Sequence, residues 1–276
     1  MKHYESTWLD EDGISTFYQG WEPETSPTAI VCLIHGLGEH SSRYKYVAEK
    51  LTDSGMALIT MDLRGHGKSA GKRGDISNEQ ILISEISHLL EEAGRRYPEK
   101  PCFLYGHSLG GLLVLFHALR CHPAVAGIVS GSPGLRSSLH KQTMKVAFVR
   151  VFGSIFPNIV LPSGLNVRDI CRDPVVIKKY VEDPLVHDRV SLGFARVMLT
   201  MGEWTINHAA EFDLPLLLMH GAMDQITYAQ GSVDFSKSVK SNCTLKIWEN
   251  LFHEIHNEPE KDEVLDYLIG WFMSNK

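Results

Sequence analysis

The sequence predicts an α/β fold, a mostly parallel central sheet flanked by helices on both faces. Short runs that are apolar throughout alternate along the chain with longer segments of helical period. That is the pattern of parallel strands buried on both sides and joined by helical crossovers. The 276 residues, 43% of them hydrophobic, are enough to bury one large core. Charged residues make up 22% of the chain, with no long charge run or low-complexity tract, which argues against disorder.

The first 27 residues depart from the rhythm: STWLD and ISTFYQGW flank Asp12-Gly13 and predict an antiparallel hairpin at the sheet edge. TAIVCLI (28–34) is a buried strand ending at His35-Gly36. In SSRYKYVAEKLTDSG, the spacing of Tyr46, Val47 and Leu51 predicts a helix, with Gly55 as its stop. MALITMD (56–62) is the next strand. Residues 78–97 form a long helix starting near Ser77, with Ile81, Leu82, Glu85, Ile86, Leu89 and Leu90 on one face. CFLYG is a strand and LGGLLVLFHALRCH an apolar helix. VAGIVSGSP (125–133), LPLLLMHG (214–221) and TLKIWEN (244–250) are further strands, and a helix from Glu260 to Phe272 closes the chain.

Between Pro133 and Leu214 lie 80 residues, far more than a crossover needs. They are rich in Met, Phe, Val and Ile without strand rhythm, and predict a mainly helical cap inserted after the sixth strand. The expected division is therefore a core of 1–133 and 214–276 with a cap of 134–213.

Gly106-His107-Ser108-Leu109-Gly110 matches G-x-S-x-G, with a strand before it and a helix after it. This is the context of a nucleophile elbow. The turn is so sharp that small residues are needed two positions either side of the serine, and the helix N-terminus behind it favours developing negative charge. A helix-capping serine would not account for glycine at 106, 110 and 111 together.

A serine hydroxyl needs a base, and the base needs an acid to orient it. Asp224 follows the strand LPLLLMHG and His253 follows TLKIWEN. Three strand ends thus deliver Ser108, Asp224 and His253 to one sheet edge in the order serine, acid, histidine. His256 is a rival base, and Glu211, Asp213 and Asp234 are rival acids that follow no strand end. His107 adjoins the serine and is expected to point away from the elbow. Oxyanion donors are expected from the backbone amides of Leu109, after the nucleophile, and of Leu37, in HGLGEH. Two motifs fail: GHGKS (65–69) has Asp62 where a phosphate loop needs glycine, and HEIH (253–256) has the wrong spacing for zinc.

The strings HGLGEHSSRY (35–44), DLRGHGKS (62–69), GHSLGG (106–111), HGAMDQIT (220–227) and FHEIHNE (252–258) resemble the monoacylglycerol lipase/lysophospholipase branch of the α/β-hydrolases. The resemblance covers nearly the whole chain and weakens in the cap. It implies the α/β-hydrolase fold, with Ser108 as nucleophile, Asp224 as acid, His253 as base and the Leu37 and Leu109 amides as oxyanion hole. It also implies a single-chain lipid ester as substrate, with no metal or organic cofactor. Leu109 stands where the family often has Met, but only its amide is needed. Lysophospholipase, carboxylesterase, thioesterase and aminopeptidase activities would use the same residues. A non-catalytic binding protein would be expected to have lost one of them.

From Pro133 to Arg168 there is no Asp or Glu, while Arg136, Lys141, Lys145, Arg150 and Arg168 are basic. Met144, Phe148, Val151, Phe152 and Ile155 recur at helical spacing. Such a helix suits a lid whose Met144, Phe148 and Phe152 wall an acyl pocket, or a transient contact with an anionic membrane surface; the plain alternative is a helix packed on the body. The net charge of −6 and the lack of a basic patch exclude a nucleic-acid binder. The N-terminus MKHYESTWLDEDG has no apolar leader, and no window reaches the roughly 20 apolar residues of a membrane span. Five widely spaced cysteines predict buried, reduced thiols. The expected location is the cytoplasm, with a transient membrane-surface contact through the cap as one of the open alternatives.

Overall fold

The structure, a computed structural model, describes residues 1–76, 78–137, 142–240 and 242–276. The hairpin β1 (Lys2–Leu9) and β2 (Ser15–Glu22) is followed by β3 (Ile30–Ile34), α1 (Lys45–Asp53), β4 (Ala57–Met61) and α2 (Glu79–Arg96). Then come β5 (Cys102–His107), α3 (Leu109–Cys121) and β6 (Gly127–Gly131). After the inserted segment, β9 (Leu216–Gly221), α7 (Ala229–Ser238), β10 (Cys243–Trp248) and α8 (Lys261–Ser274) complete the core. The insert itself carries α4 (Thr143–Ile155), β7 (Val160–Pro162), α5 (Pro174–Glu182), β8 (Arg189–Ser191) and α6 (Leu192–Asn207).

The main sheet runs β1-β2-β4-β3-β5-β6-β9-β10. Its six strands from β4 to β10 are parallel, and the hairpin adds two antiparallel strands at one edge. Side chains divide by the two-residue period of the strand. Ile30, Cys32, Ile34, Leu104 and Ile128 pack with α2 and α3 on one face. Val31, Leu33, Phe103, Tyr105 and Val129 pack with α1 and α8 on the other. The strands read as continuous apolar runs because both faces are covered.

The chain leaves β3 toward β4 on one side and returns through β5 on the other. The strand order therefore reverses between β3 and β5, and a crevice opens at their carboxyl ends, where open α/β sheets bind ligands. The loop 35–40 after β3 and Ser108 after β5 meet there.

Several boundaries differ from expectation. Ser77 lies outside the described residues; α2 is capped by Asn78, whose side chain accepts from the Gln80 amide at 2.9 Å. The antiparallel ribbon β7–β8 was not anticipated, since three residues per strand leave no alternation to read. Helix α7 gave no signal because it buries only Gly231, Ser232 and Phe235. Cys32 and Cys171 are buried free thiols, but Cys121 is exposed at the end of α3.

Candidate active site

Ser108 occupies the turn from β5 into α3 with φ 57° and ψ −114°, a left-handed conformation that costs a non-glycine residue energy. The turn is tight on both sides: a Cβ on Gly106 would lie 2.1 Å from the Gly110 carbonyl oxygen, and one on Gly110 would lie 2.0 Å from that of Ile34. The Ser108 side chain makes no capping bond to α3. Its hydroxyl donates instead to His253 Nε2 at 2.8 Å.

His253 Nδ1 lies 2.7 Å from Asp224 Oδ2, so its hydrogen is donated to the carboxylate. Asp224 sits in a cage. Oδ1 accepts from the Ile226 and Thr227 amides at 2.8 and 3.0 Å. Oδ2 also meets His220 Nε2 at 3.1 Å and the Thr227 hydroxyl at 2.9 Å. Burial alone would raise the Asp224 carboxyl, but the charge of His253 and the bonds from His220 and His253 outweigh it and hold Asp224 well below the usual carboxylate range. Burial pushes His253 down; the Asp224 charge and hydrogen bond, with Glu254 and Glu39 behind them, reverse this and hold it above the ordinary 6.5.

Above this chain lies a cavity of about 680 Å³ whose lining includes Leu37, Ser108, Leu109, Phe148, Met198, Leu199 and His253. Among the described residues, no acceptor takes the Leu37 or Leu109 amide, whereas the Gly36 amide is bound to Glu39 Oε1 at 2.6 Å. Two free amides therefore border the serine.

The segment inserted between β6 and β9 is where the sequence reading needs correction. Phe148 lines the cavity, but Met144 and Phe152 are not among the described lining residues; they are 86% and 38% exposed. The stripe of α4 that packs on α6 is Val146, Val149 and Gly153, with Val149 against Leu192 and Leu199. Helix α4 is apolar nearly all round, so periodicity did not say which face turns inward. Of the basic residues between Pro133 and Arg168, Arg136 pairs with Asp234 at 2.8 Å and Arg150 with Glu203; Lys141 lies outside the described residues.

The rival groups go elsewhere. His256 is buried in a 3-10 turn and stacks on Tyr44 at 4.9 Å; burial pushes its imidazole down to about 4. His107 does not point away: its ring packs 4.8 Å from His253 and 4.7 Å from His256 and lines the cavity, held well below the ordinary range by burial. Asp213 lies near His122 at the surface, and Asp234 is taken by Arg136. Asp62 binds the Ser41 and Lys68 amides at 2.7 Å each, so the GHGKS loop is a structural clasp. Sequence reasoning missed His220 and Thr227 as partners of Asp224; their only signal was their place within three or four residues of it.

A family model described as "Serine aminopeptidase, S33" matches residues 25–260. The chain belongs to this family. Among curated relatives, a monoacylglycerol lipase of Mycolicibacterium smegmatis is 32% identical, over 95% of this chain and 94% of that protein. An abhydrolase domain-containing protein of Dictyostelium discoideum is 36% identical, and the match covers 96% of this chain but only 28% of that longer protein. The crystal structure of a monoacylglycerol lipase from Paleococcus ferrophilus superposes with a TM-score of 0.86 at 32% identity, covering all of both chains. This α/β-hydrolase thus resembles the monoacylglycerol lipase branch, as its motifs implied. Among the described residues, no helix is long and apolar enough to cross a membrane.

Proposed function

We propose that this ester hydrolase cleaves single-chain lipid esters of the monoacylglycerol type through an acyl-enzyme on Ser108. The observation that carries the reading is the chain Ser108 Oγ to His253 Nε2 to Asp224 Oδ2, at 2.8 and 2.7 Å, beneath a largely apolar cavity. His253 takes the Ser108 proton as Oγ attacks the ester carbonyl. The oxyanion forms against the Leu37 and Leu109 amides, the latter at the N-terminus of α3. His253 then protonates the leaving alcohol, and a water activated by the same imidazole releases the fatty acid. Asp224 holds the Nδ1–H tautomer and stabilises the imidazolium.

The test is a series of monoacylglycerols from octanoyl to stearoyl. Each methylene buried contributes about 0.8 kcal/mol, so kcat/KM is expected to rise roughly fourfold per added methylene until the cavity is filled. A flat series, or equal activity on short aryl esters, would sink the lipid reading and leave the chemistry standing.

Helix α4 supports a second part of the proposal, contact with the lipid surface that holds the substrate. Val151 and Ile155 are 54% and 60% exposed on the helix that borders the cavity. Insertion of such side chains into a bilayer interface contributes on the order of 1.5–3 kcal/mol each. Val151→Asp/Ile155→Asp is expected to lower co-sedimentation with mixed phosphatidylcholine/phosphatidylglycerol vesicles by at least about tenfold. Activity on a soluble short ester should stay near wild type. Unchanged vesicle binding would remove α4 as the contact.

A further inference from the structure

Arg43 lies under the oxyanion loop, with only 9% of its side chain exposed. Its guanidinium joins two buried carboxylates. Nη1 and Nη2 donate to Glu254 Oε1 and Oε2 at 2.7 Å each, and Nη1 also donates to Glu39 Oε2. The other oxygen of Glu39 accepts from the Gly36 amide at 2.6 Å and the Tyr44 hydroxyl at 2.7 Å. Glu254 follows His253 directly, and its own amide donates to the Ile170 carbonyl of the cap segment at 2.6 Å. The face of Arg43 stacks on Tyr180 of α5 at 4.6 Å. One cation thus ties together the oxyanion loop, the histidine loop and the cap.

We propose that Arg43 is a positioning residue for the reaction: with Glu39 and Glu254 it fixes the oxyanion loop against the His253 loop, and it sets the charge balance under the imidazole. This rests on the Ser108–His253–Asp224 reading of the site. Through Glu39 the clasp occupies the Gly36 amide, while among the described residues the next amide, that of Leu37, has no acceptor. The loop is in close register with the nucleophile: a Cβ on Gly36 would lie 3.1 Å from Ser108 Cβ and 2.8 Å from Glu39 Oε1. A fork of two parallel N–H bonds fixes direction as well as distance, which an ammonium on a flexible stem does not.

The groups facing His253 are Asp224 and Thr227 from the loop after β9, Ser108 and His107 from the elbow, Glu254 and His256 from its own loop, and Glu39 from the oxyanion side; His220 of β9 reaches it through Asp224, and Arg43 through Glu39 and Glu254. Two carboxylates share one guanidinium there. Removing the cation leaves their charge to favour the imidazolium, and removing one carboxylate does the reverse.

The test measures kcat, KM and the acid limb of kcat/KM for Arg43→Gln, Arg43→Lys and Glu39→Gln, with Ser108→Ala in parallel and thermal unfolding as a check of the fold. Arg43→Gln is expected to lose about 10²-fold in kcat, the usual cost of a displaced reacting group, with KM for a long-chain ester near wild type. Its acid limb should move to higher pH. Arg43→Lys should return the limb toward wild type, because the charge is back, while kcat stays at least about tenfold low because the fork is not. Glu39→Gln keeps an acceptor for the Gly36 amide and removes a charge, so its limb should move to lower pH. A folded Arg43→Gln with kcat within threefold of wild type and an unmoved limb overturns the proposal. If Arg43→Gln does not fold, the isosteric Glu39→Gln decides, and an unmoved limb there overturns it equally. Activity retained by Ser108→Ala would instead discard the underlying reading of the site.

Discussion

Ser108→Ala is expected to lose about 10⁶ in kcat on every ester and to stop reacting with a fluorophosphonate probe. The size follows from the geometry. Among the described residues, the Oγ is the only nucleophilic atom hydrogen-bonded to His253 Nε2, at 2.8 Å. Stability should not fall. The backbone bonds at this residue, from its amide to the Gly131 carbonyl and from the Leu112 amide to its carbonyl, do not involve the side chain. The unfavourable φ of 57° is common to serine and alanine. Loss of activity with an unchanged or slightly raised melting temperature is therefore the expected pair of results, as when a group kept for function at a strained site is removed. Residual activity above one part in about 10³ would mean that Ser108 is a turn residue and the nucleophile lies elsewhere.

Asp224→Asn should lose about 10⁴ in kcat, the cost of holding the imidazole in the wrong tautomer. Here the cage makes the direction of the new amide predictable. The Ile226 and Thr227 amides both donate to Oδ1, so the amide oxygen of asparagine must sit there. Its NH₂ then replaces Oδ2 and donates toward His253 Nδ1. The imidazole responds by carrying its hydrogen on Nε2, facing Ser108, where it no longer accepts a proton. His220, whose Nε2 also loses its carboxylate, keeps the Thr227 carbonyl at 3.0 Å and so remains anchored. The check is a comparison of kcat for Asp224→Asn and Asp224→Ala with the proton resonances of His253 in each. An asparagine variant within tenfold of wild type would show that another group orients the base.

The core strands and the meeting of Ser108, His253 and Asp224 were legible because their signals are local. A strand buried on both faces is an uninterrupted apolar run, and a serine between glycines at the end of one has few structural uses. Asp224 and His253 each follow a strand end, and the parallel order of the sheet carries all strand ends to one edge. The HGLGEH loop was legible for the same reason: it follows β3, and Leu37 lines the cavity beside Ser108.

What the sequence left open depends on which way side chains turn once helices and loops pack. Helix α4 carries apolar residues around most of its circumference, and only the close approach of Gly153 to Leu192 selects the face that packs on α6. That choice put Phe148 on the cavity and Met144 in solvent. The partners of Asp224 and the Glu39–Arg43–Glu254 clasp are likewise products of tertiary structure, since Arg43 and Glu254 are 211 positions apart in the chain. A buried charge can exist only beside its compensating charge, and that meeting is decided by three-dimensional packing. By itself the sequence determined the sheet, the elbow and the order of Ser108, Asp224 and His253 along the sheet edge, because these follow from period and strand end. The tertiary structure decided which amide of the loop is taken up, which charges surround the imidazole and which side chains wall the cavity, because these are contacts between segments that no local pattern relates.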